Sequence, residues 1–183
     1  RKPVLFSKNP PSKELIKSLI DVARHAPNHH RTEPARFYLL NADKIKQVGH
    51  LFGETIAKDK KDPILIEKGK RKTKEWGSAP GLIIVTCHTD TSSELVRKNP
   101  AVIDEDYATS SCICQNLLLL LESEGLASKW STGPVWEHPD FSGTVGIKNP
   151  INERVVGLIF YGYSTQDVTP RELQDIQNHL TEF

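Results

Sequence analysis

The 183 residues predict an α+β fold with a central mixed sheet flanked by helices, and three observations carry that reading. Two runs, Gly81 to Cys87 and Arg154 to Tyr161, are almost continuously apolar, as central strands covered on both faces are. Between them, Ile103 to Glu124 mixes Ala, Ser and Cys with Leu on every face of a helical period, which predicts a long helix buried nearly all round. Strands and helices alternate without a regular βαβ rhythm, which favours α+β over a doubly wound sheet.

The elements follow in order. After Pro10-Pro11, Ser12 is placed to cap a helix in which Leu15, Ile16, Leu19, Ile20, Ala23 and Ala26 recur at helical spacing until Pro27 interrupts it. Ala35 to Leu40 reads as a short strand, and a helical stretch runs from near Asn41 towards Lys58. A second, polar helix covers Ile64 to Trp76. Gly125 is placed to end the long helix. A short strand near Lys129 to Thr132, a small helix around His138 to Val145 and a C-terminal helix capped near Thr169-Pro170 complete the chain. No repeat, low-complexity block or linker divides it, so residues 1–183 are expected to form one domain.

Composition excludes several classes. Lys and Arg total 24 against 23 Asp and Glu, so the basic surplus of a nucleic-acid binder is missing. Cys87, Cys112 and Cys114 form no CxxC pair, as reduced thiols of a cytoplasmic protein would not. The longest purely aliphatic run, Leu117 to Leu121, falls far short of the ~20 apolar residues of a membrane span. No charged-then-apolar leader opens the chain, and a start at Arg1 without Met is expected of a trimmed N-terminus. Neither GxGxxG, a Walker loop, GxSxG nor HExxH occurs, so the usual dinucleotide folds and triad hydrolases lose support.

The densest polar cluster runs from His25 through His29, His30 and Arg31 to Glu33, where the first helix breaks before a strand. Pro27 prevents His25 and His29 from forming a regular i,i+4 pair, and no metal site is expected. A polar surface loop is the plain alternative; the functional one is that imidazoles and Arg31 face an anionic ligand through charge-assisted hydrogen bonds. Cys112 and Cys114 point to different helix faces, which fits core packing rather than bridging or joint ligation. The basic residues between Lys58 and Lys74 read as a solvated helix face, with steering of an anionic ligand as the alternative. Lys129-Trp130-Ser131-Thr132-Gly133-Pro134 joins an indole to hydroxyls and free amides, suiting a flat heteroaromatic ligand, although an ordinary turn with a half-buried Trp has the same composition.

Taken in order, these segments resemble the nitroreductase superfamily, in its small single-domain FMN-dependent branch. Ala26 to Pro34 followed by Arg36-Phe37-Tyr38 resembles the "AP(N/D)H…(E/Q)PW(R/H)F" signature. Asp106-Tyr107-Ala108, Gln115 to Leu118 and Glu124-Gly125-Leu126 resemble the central helix, Lys129 to Gly133 the flavin-side turn, and Val155 to Gly162 the last core strand. The resemblance implies a homodimer with FMN at the subunit interface, reduced by NADH or NADPH and passing electrons to a small-molecule acceptor such as a nitroaromatic or quinone. It places Arg1 and Lys2 on a phosphate grip, His25 and His29 on flavin-contacting positions, and Trp130, Ser131, Thr132 and Gly133 on a second flavin segment; Arg31 is suited to the anionic flavin. The first Arg of the grip would precede Arg1, Lys2 replaces a hydroxyl residue, and Ala35 replaces the usual Trp. The flavin carries the chemistry, so no catalytic side chain is expected. An FMN-binding or FMN-sequestering protein with little turnover is the alternative function.

Overall fold

The computed structural model describes residues 6–166 and 172–182. Its first four helices begin where a side chain caps them. Ser12 Oγ accepts the Leu15 amide at 3.2 Å and opens α1 (Lys13–Ala23). Asn41 Oδ1 accepts the Lys44 amide at 2.9 Å and opens α2 (Ala42–Ile56). Asp62, with Pro63 behind it, opens α3 (Pro63–Gly77), and Ser93 opens the short α4 (Glu94–Lys98), which the sequence reading left out. The long helix is α5 (Val102–Ser123). Gly125, at φ 70°, reverses the chain beyond it, and the Leu126 amide closes onto the Leu121 carbonyl at 2.9 Å.

Four strands, β1 (Ala35–Leu39), β2 (Gly81–His88), β3 (Ala127–Ser131) and β4 (Glu153–Gly162), form one sheet in the order β1-β2-β4-β3. β2 and β4 are central, as their apolar runs predict. Every pairing among the described residues is antiparallel, so the expectation of a mixed sheet is corrected. Continuous apolar character reports burial on both faces, and both faces are covered here whatever the strand direction. Leu82, Ile84, Leu158 and Phe160 face a core built with Val48, Phe52 and Trp76 of α2 and α3. Ile83, Val85 and Ile159 face the opposite core, built with Ile16 and Leu19 of α1 and Ile113, Leu117 and Leu121 of α5.

Other expectations shift. Residues 138–145 yield only α6 (Phe141–Val145), preceded by a 3-10 turn at Pro134–Glu137. The cap expected for a C-terminal helix at Thr169-Pro170 lies outside the described residues, and 172–182 hold only a 3-10 turn at Ile176–Asn178. Leu173, Ile176 and Leu180 there are exposed, so no core packing supports a helix. Nor is α5 buried all round: Ala108, Cys112, Gln115, Leu119 and Glu122 form an exposed stripe at helical spacing.

Candidate functional site

Pro27 and the residues after it cannot extend α1, and the chain crosses residues 24–34 to reach β1 as a loop tied down by hydroxyls. Thr109 of α5 donates to the Pro27 carbonyl at 2.9 Å. Asn28 donates to Thr32 Oγ1 at 3.0 Å and accepts the Glu33 amide at 2.9 Å. Thr32 in turn donates to Asp106 Oδ1, and Thr89, beyond the end of β2, donates to the other carboxylate oxygen at 2.7 Å. Asp106 is only 2% exposed, so its carboxylate depends on these hydroxyls for the solvation it gave up on burial. Arg31 and Glu33 adopt φ 51° and 47°, a left-handed backbone that non-glycine residues rarely take.

Beside this loop lies a cavity of about 610 Å³ between α1, β1 and α5. Lys17 of α1, Arg24, His25 and Arg31 of the loop, and Arg36 of β1 bring five basic side chains to its wall, against Asp21 and Glu33. Arg24 is paired with Asp21 at 2.8 Å. The remaining basic groups make the cavity a suitable host for an anionic group.

The predicted site residues divide. Arg1 and Lys2 lie outside the described residues. His25 and Arg31 meet at the cavity. His29 does not line it: the ring stacks on His30, with centroids 4.1 Å apart, and Nδ1 lies 3.0 Å from Glu105 Oε2 on α5. Trp130, Ser131, Thr132 and Gly133 lie at the end of β3, the opposite edge of the sheet from β1. Three strand spacings, about 14 Å, separate those edges. The Trp130 indole donates to the Val156 carbonyl at 3.3 Å and is seated where only a glycine, Gly157, leaves room. Ser131 is buried with no hydrogen-bond partner for its hydroxyl among the described residues, Thr132 is exposed and Gly133 is half-buried. Lys129, read with this segment, pairs at 3.9 Å with Glu75 of α3.

Sequence reading missed that Asp106 organises the loop and that Glu105 meets the two histidines. The available signal is three consecutive acids, Asp104, Glu105 and Asp106, at the start of a helix otherwise rich in apolar residues. Cys112 and Cys114 do point to different faces of α5, but core packing holds for Cys114 alone: Cys114 and Cys87 are buried and Cys112 is exposed. Burial pushes the Cys114 thiol up to about 12 and also raises that of Cys87, so neither is a nucleophile at neutral pH.

Comparison with known proteins places this arrangement. A Bacillus subtilis (strain 168) protein, YfhC, provisionally named an NAD(P)H nitroreductase, is 27% identical over 179 residues, covering 97% of this chain and 87% of its own. The crystal structure of a nitroreductase-like family protein from Bacillus cereus matches with a TM-score of 0.76 at 24% identity, over 97% of this chain and 88% of that one. A Bacteroides fragilis nitroreductase solved with bound FMN matches with a TM-score of 0.74 at 20% identity, over 100% and 94%. The sequence profile of the Nitroreductase family matches residues 5–163, a span containing the loop, the long helix and all four strands, and the chain therefore belongs to the Nitroreductase family.

Proposed function

We propose that the protein is an FMN-dependent oxidoreductase that uses NADH or NADPH to reduce nitroaromatics, quinones or similar small conjugated electrophiles. The observation that carries this reading is the family match over residues 5–163, which spans both segments suited to a flavin. The residues fit the cofactor. Lys17 and Arg31 present positive charge and His25 an imidazole at the cavity, and the buried Ser131 hydroxyl lacks a partner among the described residues, as a group held for a ligand would. FMN, when bound, supplies the hydride acceptor and the two-electron donor. His25 and Arg31 favour negative charge on the bound group, the Thr32–Asp106 contact holds their loop in place, and no side chain is required as a general base.

Because His25 and Arg31 lie near one sheet edge and Trp130 to Gly133 near the other, one chain cannot close both segments on a single flavin. A homodimer resolves this. The exposed α5 stripe, with Leu119 61% exposed, supports pairing of two copies across that helix. NAD(P)H and the acceptor then share one cleft and take turns in it, giving ping-pong kinetics. We place all 183 residues in one domain and the protein in the cytoplasm, a setting that suits its three free thiols. Among the described residues, no helix is long and apolar enough to cross a membrane. Releasing the chromophore of the purified protein by heat tests the cofactor: free FMN supports the reading, and FAD, or no uptake of added FMN, overturns it.

A further inference from the structure

We propose that His29, His30 and Glu105 form a binding site for a divalent ion of the zinc class, outside the cavity and contrary to the expectation that the loop holds no metal. One donor atom from each residue lies within 4.8 Å of the other two. His29 Nδ1 is 3.0 Å and His30 Nε2 3.8 Å from the same Glu105 oxygen. Donor atoms at the usual zinc bond lengths in a tetrahedron stand about 3.4 Å apart, so these separations bracket the geometry an ion needs. The third separation, between the two imidazole nitrogens, is within 4.8 Å, and rotation of the imidazoles would close it to the same range.

The donor set suits the ion. Two imidazoles and one carboxylate match the His2Glu set of zinc sites that leave a fourth position to water, and the exposure of the His29 ring provides that position. The backbone is fixed without the ion. Thr109 holds the Pro27 carbonyl on one side of the two histidines, and Thr32 holds Asp106, the neighbour of Glu105, on the other. An ion binding here meets donors already gathered from residues 76 positions apart, so little ordering opposes it. Once bound, it staples the loop to the first turn of α5.

His29 also belongs to the proposed flavin segment, but His30 and Glu105 do not, and the test uses those two so that the metal and flavin readings fail separately. Full-length protein carrying its flavin and no affinity tag is stripped with a chelator and titrated with zinc chloride against a chromophoric competitor. A Cys112→Ser background removes the exposed thiol. The expected result is one ion per chain in the micromolar range, with binding weakened at least about tenfold by His30→Gln and by Glu105→Gln. X-ray absorption of the zinc-loaded protein with all its native residues should show imidazole nitrogen and oxygen neighbours. Absence of saturable binding below about 1 mM, undiminished affinity in both variants, or sulfur in the first shell overturns the proposal.

Discussion

Thr32 donates its hydroxyl to the Asp106 carboxylate across 2.5 Å, and it does so from between Arg31 and Glu33, the two described non-glycine residues with positive φ. The left-handed backbone on both sides costs on the order of 1 kcal/mol per residue, which the buried contact offsets. Removing the acceptor should therefore release the loop. Asp106→Ala takes away the carboxylate to which the Thr32 and Thr89 hydroxyls donate, and urea unfolding should show a loss of about 2–4 kcal/mol. Asp106→Asn, which keeps one acceptor oxygen, should lose less.

Backbone strain and ligand binding separate at Arg31. Arg31→Gly relieves the left-handed conformation and removes the guanidinium from the cavity, whereas Arg31→Ala removes only the guanidinium. Both variants should weaken FMN binding by about 1.5–3 kcal/mol in a fluorescence titration. Arg31→Gly should nevertheless unfold at higher urea than Arg31→Ala.

Much of this architecture is legible in the chain because it depends on neighbours in sequence. Ser12 and Asn41 cap the helices they precede, Gly125 ends α5, and the apolar runs of β2 and β4 mark the sheet centre. What stayed hidden depends on distance. The meeting of His29 with Glu105 joins residues 76 apart, and although the acids at the start of α5 stand out, nothing in either segment pairs them with the histidines. Strand direction was misread for a related reason: an apolar run records cover on both faces and carries no information on its neighbours' polarity. At the C-terminus, Leu173, Ile176 and Leu180 look like a helical face but find no surface to pack on.

Alkaline stability follows from Tyr161, Cys114 and Cys87, which are buried, and from the half-buried Tyr38. Burial, with the hydrogen bond to Glu153 adding to it, pushes Tyr38 up to about 12, and burial alone does the same for Tyr161 and Cys114, against 10.0 for a free tyrosine and 9.0 for a free thiol. The fold binds these protons more tightly than the unfolded chain does, so their contribution is complete below the unfolded values and is lost as pH rises. Thermal melting should thus fall between pH 9.0 and about 12, and Cys114→Ala should make the fall shallower while leaving its onset near 9.0, because the Cys87 thiol is raised as well.

Exposed Leu119 tests assembly. Light scattering should find a dimer for the unaltered chain, and Leu119→Arg, which places a charge on the exposed stripe of α5, should yield monomers that retain less flavin. A flavin-loaded monomer in the unaltered protein would remove the reason for two chains at one site.

The most direct test of the proposed activity is steady-state oxidation of NAD(P)H by the FMN-loaded protein, measured over a grid of reductant and nitroaromatic or quinone concentrations. Parallel double-reciprocal lines, with each substrate inhibiting competitively against the other at high concentration, are the predicted result. Tight FMN binding with no turnover of any such acceptor would contradict it and leave a flavin-binding protein in its place.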